Sequence, residues 1–185
     1  MALMLLAHAH GLIVTAIHVD HGLRTESASD IEVIDPVAES LGISVIVHSV
    51  QVEHGPNLEA RARAARYGVM PDDVMTGHTA DDQAETVLIN LLRGAGAQGL
   101  GAMRPGFSRP LLALRRSDTH AICAAAGIAT VTDSTNTDPK FQRNRVRNEL
   151  LPLMTEISLR DPNLHNLHEK QNQKTSLVYF LNFYY

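Results

Sequence analysis

Cysteine is nearly absent from the sequence, and this scarcity excludes several classes of site. The 185 residues contain one cysteine, Cys123. A single thiol cannot form an internal disulfide, a Cys-x-x-Cys redox pair, or an all-cysteine zinc or iron–sulfur site. A chain without disulfides suits a reducing compartment, so we expect a cytoplasmic protein. Cys123 itself lies on an apolar helix face, where we expect an inert core residue.

The sequence also lacks an apolar run of transmembrane length and an excess of positive charge. Residues 1–6 are apolar, but this stretch is too short to span a membrane and no basic residue precedes it. Lysine and arginine number 16 against 20 aspartates and glutamates, which gives a formal charge of −4. This balance argues against a uniformly basic nucleic-acid-binding protein but allows a local basic patch. We therefore expect no membrane partner.

Apolar, β-branched runs alternate with helical patterns through most of the chain. This alternation predicts an α/β fold with a doubly wound, mostly parallel sheet, in which ligands bind at the carboxyl ends of the strands. We expect Pro36 to kink or split one helix. The predicted strands cover residues 12–19, 43–50, 73–76 and 127–131, and the predicted helices cover residues 1–10, 26–41, 57–68, 79–94 and 118–126.

The stretch from Gly77 to Gly94 holds the densest group of polar residues with chemical potential. Thr79 occupies a helix N-cap position, and Asp81 and Asp82 fall in the first turn. Because Asp82 and Glu85 are three residues apart, they share one helix face. Carboxylates clustered at a helix start suit a metal-bound phosphate or a cationic amine. The simpler alternative is an acidic first turn that only stabilises the helix.

Glycines and arginines mark three further segments. Residues 94–106 are rich in glycine, and we expect this loop to be more mobile than packed. A basic helix follows Pro139, with Arg143 and Arg147 one turn apart. The helix before the central stretch carries arginines on a largely common side, for which a solvated surface is the alternative to a binding role. These arginines are Arg61, Arg63 and Arg66.

Residues 164–185 differ in composition from the rest of the chain. Five of its eight aromatic residues lie in the last seven positions, with no period or cap that would place them on a core. We interpret this segment as an anomalous tail, such as a displaced reading frame or a truncated gene would produce. The five residues are Tyr179, Phe180, Phe183, Tyr184 and Tyr185.

Five segments carry a family pattern in their order and spacing. They are HVDHGLR from His18, RARAARY from Arg61, GHTADDQAETVLINLLRG from Gly77, RPLLALRR from Arg109 and DSTNTDPKFQRNRVRNELLP from Asp133. Together they resemble the tRNA(Ile)-lysidine synthetases of the PP-loop ATP-pyrophosphatase superfamily. The resemblance covers about residues 1–163 and implies a Rossmann-like fold of the adenine nucleotide alpha-hydrolase type. It implies a nucleotide-binding domain over residues 1–140 and the start of a basic, helical, tRNA-contacting region over residues 141–163.

The resemblance also implies a reaction and its ligands. Enzymes of this family use ATP to adenylate the wobble cytidine of an isoleucine tRNA at its C2 carbonyl oxygen. The amino group of free L-lysine then displaces AMP and leaves lysidine. ATP, Mg²⁺, tRNA(Ile) and lysine are therefore the expected ligands.

Matching the motifs residue by residue assigns a role to each candidate. The implied catalytic residues are Asp82, Glu85, His78 and Asp81, of which Asp82 and Glu85 are also implied metal ligands. The implied nucleotide-binding residues are Asp20, His21, Arg61 and Arg63. The implied tRNA-binding residues are Arg143, Asn144, Arg147 and Arg115.

The start of the chain departs from the family pattern. The family's Ser-Gly-Gly-x-Asp-Ser phosphate loop and the central strand before it should lie just upstream of Met1. We therefore expect a chain truncated before the phosphate loop, a sheet without its first strand, and weak or absent ATP binding. The alternative function is an inactive fragment that keeps only tRNA or partner binding. A homodimer, in which a second chain supplies the missing strand, also stays open.

Two other classes of enzyme fit the sequence less well. The histidines of HAH at His8 and HVDH at His18 superficially resemble the zinc clusters of metallo-hydrolases. In those enzymes, however, the cluster follows one strand as a unit, whereas His8 and His10 precede the strand on a helix. The sister tRNA thiolases of the same superfamily need paired cysteines, which this chain lacks.

Overall fold

The computed structural model describes residues 1–20, 27–52, 55, 58–128 and 141–160. His21, most of the predicted strand at 127–131 and the tail at 164–185 therefore lie outside the described residues. The helices are α1 (Ala2–Ala9), α2 (Ser27–Ser40), α3 (Leu58–Val69), α4 (Ala80–Leu92), α5 (Ala97–Leu100), α6 (Arg116–Ala125), α7 (Gln142–Arg145), a π-helical segment (Val146–Leu150) and α8 (Leu151–Arg160), and the strands are β1 (Thr15–Asp20) and β2 (Ser44–Ser49).

The strands β1 and β2 form a parallel pair, with Thr15 opposite Ser44 and Asp20 opposite Ser49. The helix α2 connects them, so the predicted α/β fold with parallel strand pairing is confirmed. This helix continues through Pro36 and is not split there, and a kink at this residue stays a prediction. The strand β1 begins three residues later than predicted, since β2 offers a partner only from Ser44 onward.

The predicted strand at residues 73–76 is wrong for the described part of the chain. Only Thr76 has a strand-like backbone bond, from its N–H to the carbonyl of Ser108 at 2.9 Å. One wall of an apolar groove of about 620 Å³ is instead formed by Met70, Pro71 and residues 73–75, and the other walls include residues 12–18. An apolar, β-branched run becomes a strand only when a neighbouring strand offers backbone hydrogen-bond partners along its length. No described segment offers them to residues 73–76.

A small apolar core joins α1 to Leu111 and to α6. Ala2 of α1 packs with Leu111 and Cys123, and all three are buried. Ile122 and Leu6 pack against this cluster. Cys123 is 2% exposed, which confirms the expected core position of the lone thiol. The helix α1 thus packs against α6, whose first residues contribute to the site below.

The glycine-rich segment at 94–106 is more ordered than predicted. It contains α5, and two side chains of α4 hold it in place. Gln83 donates to the carbonyl of Met103 and accepts from its N–H, both at 3.0 Å. Asn90 donates to the carbonyl of Gly99 at 2.7 Å. Composition alone could not reveal these contacts because their partners lie on a different helix.

We predict that Gln83→Ala destabilises the protein by about 2 kcal/mol, because it removes two hydrogen bonds and leaves part-buried backbone groups of Met103 without partners. Urea unfolding measures the loss. Gln98→Ala is the matched control, since Gln98 is exposed on α5, and its effect should stay within about 0.5 kcal/mol. Equal free energies of unfolding for the two variants would contradict the proposed role of Gln83.

Candidate functional site

The start of α4 is fixed by the capping interaction that the sequence predicts. Thr79 is the N-cap residue, and α4 begins at Ala80. The Oδ2 atom of Asp82 accepts hydrogen bonds from the N–H of Thr79 at 2.8 Å and from its hydroxyl at 2.9 Å. These bonds hold one oxygen of Asp82 against the helix start and turn the other toward neighbouring helices.

The start of α6 lies directly beside the start of α4. The N–H of Ala80 donates to the carbonyl of Leu114 at 2.8 Å. The backbone N–H of Arg116 donates to Oδ2 of Asp81 at 2.7 Å. Asp81 thus satisfies a free N–H of α6 while lying in the first turn of α4. The Arg116 side chain is thereby placed over the acidic face of α4.

A fully buried carboxylate, Glu85, forms the centre of the site. Its side chain is 0% exposed and contacts guanidinium groups from two other parts of the chain. Arg116 of α6 donates to Oε1 at 3.2 Å. Arg143 donates from Nε to Oε2 at 2.7 Å. Arg147 donates from Nε to Oε1 at 2.6 Å and from Nη2 to Oε2 at 3.0 Å, the bidentate geometry that arginine favours.

Asp82 adds a second carboxylate to this cluster. Its Oδ1 atom lies 3.2 Å from Arg116, 3.8 Å from Arg143 and 3.9 Å from Arg147. With Asp81, three carboxylates of α4 thus meet three arginines, and their formal charges cancel. We call this group the charge network, and its members are Asp81, Asp82, Glu85, Arg116, Arg143 and Arg147.

The helical stretch formed by α7 and the π-helical segment positions two arginines of the charge network. Arg143 lies on α7 and Arg147 on the π-helical segment, one turn later along a continuous helical stretch. Asn144 and Val146 are buried between them, whereas Arg145 faces outward and pairs with Glu149 at 3.0 Å. Short π-helical segments occur frequently at functional sites because they redirect side chains within a helix.

The arginines keep both central carboxylates ionised. Burial raises the pKa of Glu85, but hydrogen bonds and charge from Arg147 and Arg143 outweigh burial, so its pKa is lowered. Burial likewise opposes ionisation of Asp82, and the two bonds from Thr79, with Arg116 and Arg143, lower its pKa. The pKa of Arg147 is raised, first of all by its hydrogen bond to Glu85. All of these groups are therefore charged at neutral pH.

Two cavities flank the charge network. One, of about 500 Å³, is lined by carboxylates and arginines together, and we call it the mixed-charge cavity. The other, of about 510 Å³, lies between α3, α4 and α7 and is lined by arginines, and we call it the cationic cleft. The charged residues of the mixed-charge cavity are Asp81, Glu85, Glu156, Arg116 and Arg147. Those of the cationic cleft are Arg63, Arg66, Arg93 and Arg143, beside His78.

His78 lies in the wall of the cationic cleft. Its Nδ1 atom is 2.8 Å from the hydroxyl of Thr76, which fixes the ring. Burial lowers the pKa of His78, Asp82 opposes this effect, and nearby arginines, including Arg63, lower the pKa further. The imidazole is therefore neutral at pH 7.

The remaining predicted site residues lie apart from the charge network. Asp20 ends β1 at the carboxyl end of the strand, as predicted. Arg61 and Arg63 lie on α3, and the Nε and Nη2 atoms of Arg61 are buried without a hydrogen bond to the described residues. Arg115 is exposed at the N-cap of α6, where its N–H donates to Asp118 at 2.8 Å.

Sequence reasoning missed Arg116, which contacts both central carboxylates. The motif places Arg115 and Arg116 side by side, and only the packing of α6 against α4 decides which guanidinium faces Glu85. Thr79 was recognised as a cap but not as the residue that orients Asp82. The sequence shows a pair of arginines before a helix and a cap three residues before a carboxylate, but it does not show which arginine faces Glu85.

The proposed metal ligands are already engaged by protein groups. Both oxygens of Glu85 accept hydrogen bonds from arginines, and Oδ2 of Asp82 accepts from Thr79. Among the described residues, no group of three or more histidines, cysteines, aspartates or glutamates is arranged to hold a metal ion. A protein-bound Mg²⁺ at Asp82 and Glu85 thus stays a prediction, and this donor set does not fit one without rearrangement.

Comparison with known proteins identifies the class of the chain. A sequence profile of the PP-loop domain matches residues 1–154. The chain therefore belongs to the PP-loop domain family, an ATP-using family with an α/β fold, which agrees with the resemblance drawn from its motifs.

The similar curated proteins share one name. The chain is 45% identical over 151 residues to a protein of Mycobacterium tuberculosis named tRNA(Ile)-lysidine synthase, which covers 77% of this chain and 47% of the relative. A protein of the same name from Nocardia farcinica is 40% identical over 166 residues, which covers 85% and 52%. The chain thus spans about half the length of the curated relatives it matches.

None of its described helices is long and apolar enough to cross a membrane.

We predict that Glu85→Gln lowers the free energy of unfolding at pH 7 by about 3 kcal/mol, because it leaves three partly buried arginines facing a neutral amide. Because the folded-state pKa of Glu85 is lowered, the ion pairs stabilise the fold above its ordinary pKa of about 4.3, and this contribution disappears as pH falls through the lowered value. The difference between parent and variant should therefore shrink below about pH 4.

Chemical unfolding between pH 3 and pH 8 measures this effect. Glu149→Gln is the matched control, since Glu149 pairs with Arg145 on the exposed side of the same helical stretch. We expect no measurable loss for this control at any pH. A Glu85→Gln protein as stable as the parent at pH 7 would rule out a structural role for the charge network.

Proposed function

We propose that the chain forms the catalytic α/β part of an ATP-dependent ligase that joins lysine to C2 of the wobble cytidine of tRNA(Ile). The curated relatives carry the name of such an enzyme, and the family uses ATP. The observation that carries the proposal for this chain is the mixed-charge cavity beside the charge network. A cytoplasmic location goes with a tRNA substrate.

The mixed-charge cavity has the chemistry that a free amino acid with a basic side chain requires. Lysine carries two ammonium groups and one carboxylate. Asp81 and Glu156 offer carboxylates on the cavity wall, while Arg116 and Arg147 offer guanidinium groups for a carboxylate. A volume of about 500 Å³ is ample for one amino acid and leaves the cavity open to a second substrate.

The proposed reaction proceeds in two balanced steps. The C2 carbonyl oxygen of cytidine attacks the α-phosphorus of ATP, an O–P bond forms, and pyrophosphate leaves. A lysine amino nitrogen then attacks C2, a C–N bond forms, the C–O bond to the adenylate breaks, and AMP leaves with the bonding electrons. The amine loses its protons to solvent during this second step.

The arginines of the charge network supply positive charge where both steps develop negative charge. Pyrophosphate and AMP are anionic leaving groups, and guanidinium groups held by buried carboxylates need not reorganise to stabilise them. Mg²⁺ belongs to the proposal as an ion bound through ATP phosphates, which is its usual mode in nucleotide sites. Asp82 then acts by holding Arg116.

We predict that Asp82→Asn lowers lysine transfer by at least about 100-fold and leaves tRNA(Ile) binding intact. Incorporation of radiolabelled lysine into tRNA(Ile) measures the first effect, and filter binding measures the second. Asp118→Asn is the matched control, since Asp118 also accepts the N-cap N–H of its own helix but faces no arginine of the charge network. We expect this control to keep full activity.

Three outcomes separate the alternatives. Loss of lysine transfer in Asp82→Asn, but not in Asp118→Asn, supports the proposal. An active Asp82→Asn enzyme contradicts the role of Asp82. A parent protein that binds tRNA(Ile) but transfers no lysine contradicts the ligase function and favours a protein that keeps only RNA binding.

A further inference from the structure

We propose that the cationic cleft binds consecutive backbone phosphates of the RNA substrate. The inference rests on the proposed function, because it assigns to tRNA a surface that the charge network does not use. It names the residues that would contact RNA outside the reacting centre, above all Arg63 and Arg93.

Every described charged residue that lines the cationic cleft is an arginine. Four arginines line it, contributed by α3, by the C-terminal end of α4 and by α7. Among its described lining residues there is no aspartate or glutamate, in contrast to the mixed-charge cavity on the other side of α4. A concave surface with only positive charges concentrates field and attracts a polyanion, even though the chain as a whole carries a formal charge of −4.

Several of these groups are held in position before any ligand binds. The guanidinium of Arg63 lies 4.8 Å from the ring centre of Tyr67 and donates to its hydroxyl at 3.4 Å. Arg143 is fixed by its bond to Glu85, and His78 by Thr76. Preorganised donors lose less entropy when they bind an anion. The cleft is thus a prepared surface and not a group of freely moving side chains.

The extent of the cleft favours a polymer over a single nucleotide. Arg143 bonds to Glu85 on α4, and Arg93 follows the helix eight residues later, which corresponds to about 12 Å along the helix axis. Positive groups therefore accompany the second half of α4, which suits more than one phosphate in a row. A triphosphate would contact only one end of such a surface.

The position of Arg143 links the cleft to the reacting centre. This arginine lines the cleft and also donates to Glu85 in the charge network. An RNA strand whose phosphates lie along α3 and α4 would therefore reach the charge network at its Arg143 end. The cleft would guide the strand, and the mixed-charge cavity on the far side of the network would hold the amino acid.

The test measures binding of tRNA(Ile) to the Arg63→Ala/Arg93→Ala variant over a range of salt concentrations. Each phosphate contact to a single strand contributes about 0.7 to the slope of log affinity against log salt. The double variant should therefore bind more weakly at low salt, with a slope smaller by about 1.4. Because the assay needs no catalysis, it does not depend on lysine transfer.

Two controls accompany the variant. Arg63→Lys/Arg93→Lys keeps the charge and should retain the parent slope. Arg145→Ala removes an exposed arginine that is paired with Glu149 and should leave the slope unchanged. A thermal melt of each variant confirms folding.

The outcomes distinguish the cleft from the proposed function. A smaller slope in Arg63→Ala/Arg93→Ala, with the parent slope kept in Arg63→Lys/Arg93→Lys, supports an RNA site in the cleft. A parent-like slope in Arg63→Ala/Arg93→Ala overturns the cleft assignment alone. A parent protein that binds no tRNA(Ile) contradicts the proposed function as well.

Discussion

The burial of Glu85 beneath three arginines is the constraint on which the rest of the site depends. A carboxylate without water is costly unless its charge and its lone pairs are satisfied, so arginines must reach it from wherever the chain allows. Arg116 reaches it from α6, and Arg143 and Arg147 reach it from the helical stretch after residue 141. One side chain thus fixes the relative positions of three helical segments.

This constraint also separates two chemical environments. On one side of the charge network, carboxylates and arginines alternate around a cavity that suits an amino acid. On the other side, arginines of α3 and α4 form a surface of one sign that suits a polyanion. The ligase proposed above, which joins an amine to a nucleic acid, would need both environments within reach of one centre. In this chain, α4 separates the two cavities and carries the carboxylates of the charge network.

Local patterns predicted the parts of this arrangement that depend on neighbours in sequence. Thr79 caps α4, Asp82 and Glu85 share a face, and Arg143 and Arg147 lie one turn apart, because each relation spans three or four residues. Long-range packing decided the rest. Segments distant in sequence decide that Arg116, and not Arg115, contacts Glu85. They also decide that Gln83 anchors residues 94–106 and that residues 73–76 find no neighbouring strand among the described residues.

A double-mutant cycle between Glu85 and Arg147 tests the central claim most directly. The free energy of unfolding is measured for the parent, Glu85→Gln, Arg147→Gln and the double variant. If the two residues form one bidentate, buried ion pair, each single variant loses most of what the double variant loses, and the coupling energy is about 2 kcal/mol. A coupling energy below about 0.5 kcal/mol would mean that the two residues contribute independently, which contradicts a site organised around Glu85.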